Sequence, residues 1–183
     1  MPRILSDHIV LRPLELRDLE NRVAWFNDPQ VRQTLVVTEQ FEMDKTRRWF
    51  ERLQSDSTRV EFAIDTPEGI TIGVTGLVGI EKDHAVAECY CVIGNKEYWG
   101  KKLGTEIHSV LIQWAFETLG LAKIRADIRT NNPAIFRVVE KLGFKIEGTL
   151  RQEKVVSGQR IDLYRIGLLR TEFTPTHHRF EVQ

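Results

Sequence analysis

The segment from Glu97 to Glu106, Glu-Tyr-Trp-Gly-Lys-Lys-Leu-Gly-Thr-Glu, joins a strand-forming run to an amphipathic helical run through a doubly basic turn that contains glycine. A turn of this kind can hold a phosphate. At a helix N-terminus the first backbone N–H groups lack intrahelical acceptors and lie at the positive end of the helix dipole. An anion such as a pyrophosphate is then met by amides and by the charges of Lys101 and Lys102. The same residue types also serve turns that need only geometry and solubility, so the motif gains its meaning from its surroundings.

Immediately upstream, Val86 to Gly94 reads as a strand with Glu88, Tyr90 and Val92 on one face and Cys89, Cys91 and Ile93 on the other, and one face is expected to be buried. On a face that lines a cleft, Glu88 would take the proton of an incoming amine, directly or through water, with a pKa raised by partial burial. On an open face it is an ordinary surface or ion-paired glutamate. Cys91 is the alternative nucleophile, but the sequence offers it no convincing histidine partner, and strand cysteines are usually inert. Cys89 and Cys91 face the same side, a poor geometry for a disulfide, and are read as reduced. With no further cysteine, and with His177 and His178 in what reads as a frayed tail, no metal site is expected.

A second constellation runs from Asn131 to Phe144. Asn132 precedes Pro133 at a first helical position, and Gly143 follows the last apolar position, so the segment reads as strand end, cap, helix, glycine stop and strand. Capping accounts for Asn132, whose side chain is also available to a ligand.

The elements that must position these groups follow from hydrophobic periodicity. Leu103, Ile107, Val110, Leu111, Trp114 and Ala115 share one face of the helix after the basic turn. Ile9 to Arg12 reads as a strand, and Leu16, Leu19, Val23 and Phe26 recur at helical spacing until Asn27-Asp28-Pro29 stops them. A second helix is expected over Met43 to Leu53, then paired strands at Val60 to Asp65 and Ile70 to Ile80 around Thr66-Pro67-Glu68-Gly69. After the central helix come a strand at Lys123 to Arg129, a helix at Pro133 to Leu142, and two strands joined at Ser157-Gly158. The order is mixed α/β with antiparallel pairing at both ends. Residues 1–173 form one domain in this reading, and Thr174 to Gln183 a loosely held tail.

Composition narrows the function. The chain has 183 residues, 42% hydrophobic and 28% charged, with 26 basic and 26 acidic side chains. That describes a globular domain with a real core and no global field for nucleic acid. The N-terminus passes quickly into polar sequence, so neither a secretory signal nor a membrane span is expected, and the cytoplasm is the default location.

The constellations together resemble the Gcn5-related N-acetyltransferase (GNAT) family, nearest to the branch with the ribosomal-protein alanine acetyltransferases and spermidine acetyltransferases. The resemblance rests on Leu11-Arg12-Pro13-Leu14 with Asp18-Leu19, on Trp25-Phe26-Asn27-Asp28-Pro29, on the strand and turn through Thr105, and on Asn132 through Gly148. It implies an α/β (α+β) fold: a mixed central sheet of about seven strands, flanking helices and a splayed acetyl-CoA cleft. Trp99, Gly100, Lys101, Lys102, Leu103 and Gly104 occupy the six places of the family's Gln/Arg-x-x-Gly-x-Gly/Ala pyrophosphate loop, with Thr105 after them. The first and fourth places depart from the pattern. At the fourth, Lys102 lacks glycine's backbone freedom, for which its charge compensates if the local dihedrals are ordinary.

By the same resemblance, Cys91, Val92 and Ile93 offer the strand edge to the pantetheine, and Asn132 matches an asparagine at the end of the second splayed strand. Ile135 stands where Ser or Ala is expected, and Val139 where many members have a tyrosine that protonates the departing thiolate. The implied mechanism is direct transfer from acetyl-CoA without a covalent enzyme intermediate or a metal. Glu88 collects the proton, and a backbone N–H near Val92 stabilises the oxyanion.

The acceptor wall would draw on Trp25, Asn27, Asp28, Trp49, Glu81 and Asp83, although packing explains the tryptophans better and a solvated face explains the acids equally well. A small-molecule amine such as a polyamine, an aminoglycoside or an amino-sugar nucleotide is preferred as acceptor, with a protein N-terminus of the ribosomal-protein type as the alternative. A non-catalytic acyl-CoA-binding module is the reading from another class, motivated by Val139 and Lys102. The C-terminal strand edges offer a possible homodimer contact.

Overall fold

The computed structural model describes residues 1–183 apart from Thr38 and Ser157, so part of the expected connection at Ser157-Gly158 lies outside the described residues. The N-terminal half runs β1 (Ile4–Leu5), β2 (Val10–Pro13), α1 (Leu19–Asn27), α2 (Pro29–Arg32), α3 (Met43–Leu53), β3 (Val60–Asp65), β4 (Thr71–Glu81) and β5 (Val86–Ile93). It continues with α4 (Leu103–Thr118), β6 (Lys123–Arg129), α5 (Pro133–Leu142), β7 (Lys145–Val156), β8 (Gln159–Leu169) and β9 (Glu181–Val182). The strands form a single nine-stranded sheet in the order β7-β8-β6-β5-β4-β3-β2-β1-β9. Two of the nine, β1 and the edge strand β9, are two residues long, too short to leave a periodic signal. No helix among the described residues is long and apolar enough to cross a membrane.

The loosely held tail is corrected. Glu181 and Val182 pair with β1. The Ser109 hydroxyl on α4 accepts from the Thr176 N–H at 2.9 Å and meets His177 Nδ1 at 2.9 Å, and the Asp7 carboxylate takes the N–H groups of His178 and Arg179. Polar side chains thus capture backbone donors of a segment whose composition suggested disorder.

Both faces of β5 are covered, where one was expected to be buried. Ala87 and Cys89 pack with Ile107 and Leu111 of α4, while Val92 packs on the other side with Leu19 and Phe26 of α1. Each large aliphatic side chain buried this way contributes about 1.5–3 kcal/mol. The start of the chain is fixed to this layer by Arg12. Its Nη1 and Nη2 donate to Asp18 at 2.7 Å each, and its Nε donates to Asp65 at 2.7 Å. All three residues are buried, so the bidentate geometry is what offsets the desolvation of the charges.

The feature that positions the site is the one parallel pairing. β5 and β6 run side by side only over Val86–Lys123, Ala87–Ile124 and Glu88–Arg125. Beyond these pairs β6 continues to Arg129 against β8 alone, and the edge of β5 toward β6 is left open.

Candidate active site

The open edge ends in the basic turn. A 3-10 turn over Lys96–Tyr98, capped by the Asn95 side chain, leads into Trp99, whose indole Nε1 donates to the Ile93 carbonyl at 2.7 Å. Gly100 has φ 76° and Lys102 has φ 63° with ψ 6°. Lys102 therefore sits in the left-handed region, and the expectation of ordinary dihedrals there is corrected. It is the N-cap of α4, whose first amides open onto the turn. The place has the shape of a phosphate cradle. A side chain added at Gly100 would touch nothing within 4 Å, and one at Gly104 only Val138 at 3.8 Å, so the protein's own packing does not fill the space beside these glycines. Lys101 and Lys102 are exposed, with the Lys101 ammonium 4.5 Å from the centre of the Tyr98 ring.

Where β5 and β6 part lies a cavity of about 530 Å³, lined by residues of both strands and of the helices on both faces of the sheet. Trp49, Glu61 and Tyr90 line it on the α1/α3 side, and His108, Asn132 and Val139 on the α4/α5 side. Gly94 N–H donates to Ile72 of β4, and alternation along the strand turns the backbone groups of Val92 the same way. Cys91 and Ile93 are left facing the gap, so of the three residues expected to offer this edge, Val92 contributes its side chain. Near Val92 the amides that face the gap are those of Cys91 and Ile93. Burial pushes the Cys91 thiol up to about 12, which removes it as a nucleophile. His108 is held neutral by burial, its Nδ1 at 2.8 Å from the Gly104 carbonyl.

Glu88 lies at the closed end of the gap, opposite Arg125 in the last parallel pair. Burial, and then the negative charge of Asp127, raise its carboxyl above the ordinary glutamate value. Asp127 is itself clamped by Arg165 through bonds of 2.6 and 2.8 Å. Cavity-lining residues of β5 begin one position later, at Cys89, which puts Glu88 beside the cavity. Asn132 accepts the N–H groups of Ala134 and Ile135 and so caps α5, with Ile135 and Val139 further along the same wall.

Of the six acceptor candidates, Trp25, Asn27, Asp28, Glu81 and Asp83 do not line the cavity. Asn27 exchanges two hydrogen bonds with the Phe41 backbone, at 2.7 and 2.9 Å. Asp28 caps α2 and pairs with Lys96 at 2.7 Å, and Glu81 pairs with Arg125 at 2.9 Å. The Trp25 indole lies against Gly94, where an added Cβ would come within 2.0 Å of it. Trp25, Asn27, Asp28 and Glu81 are thus engaged in packing, backbone capping or ion pairs, and only Asp28 is claimed by the amides of the helix that it precedes.

The wall is built instead from residues that the sequence did not single out, together with Trp49, which it did. The Arg22 guanidinium is stacked over Trp49 at 4.1 Å, Phe26 at 4.6 Å and Phe41 at 5.2 Å. Glu61 is 1% exposed and accepts from the Tyr90 hydroxyl. Burial raises both groups, Glu61 above the ordinary carboxylate value and Tyr90 well above the ordinary phenol value. One grouping of metal-ligating types occurs among the described residues, Asp7, His8 and Glu106. It does not line the cavity, and its carboxylates already accept from backbone N–H groups.

Comparison with known proteins agrees with this geometry. The family model for the acetyltransferase (GNAT) domain matches residues 8–145. The chain is 27% identical over 183 residues to the spermidine N(1)-acetyltransferase of Escherichia coli K12, covering 94% of this chain and 92% of that one. It is 25% identical over 178 residues to an uncharacterised N-acetyltransferase of Bacillus licheniformis, covering 94% and 99%. The crystal structure of spermidine N-acetyltransferase from Vibrio cholerae in complex with CoA and spermine superposes with a TM-score of 0.85 at 25% identity, covering 90% of this chain and 96% of that one. The chain therefore belongs to the acetyltransferase (GNAT) domain family, and it is an acetyl-CoA-dependent N-acetyltransferase.

Proposed function

We propose that the protein transfers the acetyl group of acetyl-CoA to the primary amine of a small molecule by direct attack, with Glu88 as the base. The observation that carries this reading is the cavity through the sheet at the point where the parallel pairing of β5 and β6 ends, with the basic turn following the open end of β5 in the chain. The turn amides, Lys101 and Lys102 hold the pyrophosphate. Backbone groups of Cys91 and Ile93 pair with the pantetheine, and Asn132 stands across the gap. In this reading the thioester lies beside Tyr90, with a proton path to Glu88.

The chemistry sets a clear demand on that base. An alkyl amine with a pKa near 10.4 is mostly protonated at neutral pH and cannot attack until it loses a proton. Glu88, with its affinity for protons raised by burial, takes that proton, directly or through water. The amine nitrogen then bonds to the thioester carbon and the carbon–sulfur bond breaks. An edge amide of Cys91 or Ile93 steadies the oxyanion between those events. Val139 supplies no proton to the thiolate, but a thiol of pKa about 8.5 leaves readily, and water protonates it.

The spermidine acetyltransferases among the relatives support a small amine over a protein N-terminus. The test is CoA release from acetyl-CoA, with mass detection of product, against diamines and polyamines, anionic amines, amino-sugar nucleotides and peptides with free N-termini. Acetylation confined to peptides would overturn the small-molecule reading. Turnover unaffected by Glu88→Gln would overturn the assignment of the base.

A further inference from the structure

Arg22 and Glu61 are two buried, opposite charges on the acceptor side of the cavity, near enough for the Arg22 charge to act on Glu61, and each keeps one polar atom without a hydrogen bond among the described residues. Arg22 is 7% exposed, and among the described residues its Nε has no hydrogen-bond partner. Its neighbours are aromatic faces, which stabilise the charge but accept no strong hydrogen bond. Glu61 accepts from Tyr90 through Oε2, while its Oε1 is also without a hydrogen bond, the nearest cation being Arg59 Nε at 3.6 Å. Leaving donors and acceptors of charged groups unmet in a buried place is costly, and such groups call for a partner. Both residues line the same cavity, and among the described residues the ion pair of Glu61 is with Arg59 rather than with Arg22.

The charge of the wall as a whole points the same way. Five basic side chains line the cavity, Arg22, Lys45, Arg52, Arg59 and Arg129, against four acidic ones. Of the acids, Glu42 is already paired with Lys45 at 2.7 Å and Asp127 with Arg165. With the Lys45–Glu42 pair and Asp127 set aside, Arg22, Arg52, Arg59 and Arg129 face Glu39 and Glu61, so a polycation entering this wall meets more like charge than free carboxylate. A ligand with an anion at one end and an amine at the other meets both unsatisfied groups at once.

We propose that the acceptor is a small amine that also carries a carboxylate or phosphate, its anion seated on Arg22 and its amino group directed by Glu61 and Tyr90. This rests on the reading of the cavity as the acceptor site of an acetyltransferase. The transfer step is unchanged: the amine nitrogen bonds to the acetyl carbon, the thiolate of CoA leaves, and the amine's proton passes to Glu88. What the pair adds is selection.

The test uses the full chain with acetyl-CoA and four probe acceptors: 4-aminobutyrate, 2-aminoethyl phosphate, putrescine and spermidine. A charge-assisted hydrogen bond contributes about 1.5–3 kcal/mol, so kcat/KM for at least one anionic amine should exceed that for putrescine by about tenfold or more. The better of the two anionic probes tells carboxylate from phosphate. In Arg22→Met the ratio of anionic to cationic kcat/KM should fall by about tenfold or more, chiefly through KM, and Arg22→Lys should restore part of it. Thermal unfolding of both variants checks that they fold, and Arg22→Lys keeps the test sharp if Arg22→Met does not. Preferred acetylation of putrescine or spermidine would overturn this proposal while leaving the acetyltransferase reading intact. So would a selectivity that moves in neither variant. Absence of product from all four probes and from the wider amine panel would overturn both.

Discussion

Replacing Lys102 by glycine separates the two contributions this residue makes to the phosphate turn. Its backbone, at φ 63° and ψ 6°, occupies the left-handed region, where a residue with a Cβ carries roughly 1–2 kcal/mol of steric strain. Glycine relieves that strain but makes the unfolded chain more flexible, at a cost of about 0.4–1 kcal/mol. The net expectation for Lys102→Gly is a gain of about 0.5–1 kcal/mol, or a few degrees in unfolding temperature at roughly 2–4 °C per kcal/mol for a chain of this size. The ammonium acts separately. An exposed cation near a bound anion is worth about 0.3–1 kcal/mol, so losing it weakens CoA binding by roughly two- to fivefold at low salt and less at high salt.

Lys102→Ala removes the same charge and keeps the strain. The two variants should therefore lose CoA affinity alike while only the glycine variant gains stability. Urea unfolding of the free protein and calorimetric titration with CoA at low and high ionic strength measure both quantities. Equal stability of the two variants, or a glycine variant less stable than the native chain, would refute the argument from the left-handed backbone. A loss of affinity that does not shrink with salt would refute the assignment of charge.

Three further outcomes follow from other parts of the molecule. Arg12→Met leaves Asp18 and Asp65 buried without their cation and should cost about 3–5 kcal/mol in urea unfolding; a loss below about 1 kcal/mol would show the clamp to be dispensable. Glu88→Gln should lower kcat by about 10²–10⁴ while acetyl-CoA affinity persists. In the native enzyme the acid limb of kcat/KM should lie above the ordinary glutamate range, because the carboxyl is raised by burial and must be ionised to act. The stability linkage has the opposite sense: a raised carboxyl favours the fold most below the unfolded glutamate pKa, and that contribution is lost as pH rises through the folded value. Glu88→Gln should accordingly become more stable than the native chain toward neutral pH, and a variant equally stable at every pH would contradict the raised pKa. Gly94→Ala drives a Cβ to within 2.0 Å of the Trp25 indole and should cost about 1–3 kcal/mol, so an unperturbed unfolding curve would mean that this contact is not tight.

The parts of the fold that were legible in the sequence are those where local chemistry and global structure agree. The Asn132-Pro133 start and Gly143 stop of α5 were read correctly because cap, proline and left-handed glycine each act within one turn of the helix. The cradle was legible for the same reason, since its glycines, lysines and helix start are contiguous. The acceptor wall was not. Glu61 alternates with Val60 and Phe62 and reads as an outward position, yet α1 and α3 cover the face it points to. Arg22 reads as a surface residue of a helix, and only the convergence of Phe41 and Trp49 from elsewhere in the chain turns it into a caged cation. Asn27 and Asp28 differ in the other direction: their polarity suggested availability, but Asn27 is bonded to the Phe41 backbone, 14 residues on, and Asp28 to the first amides of α2.

The brevity of the parallel pairing between β5 and β6 also shapes the mechanics of the molecule. With three residue pairs along that boundary, the sheet is two antiparallel blocks sewn by a short seam, β9 through β5 on one side and β6 through β8 on the other. A pantetheine lying in the gap continues the stitching where the chain leaves off. In the proposed binding mode the cosubstrate would serve as a removable structural member, so that its binding would stiffen, and its release loosen, the joint between the two blocks.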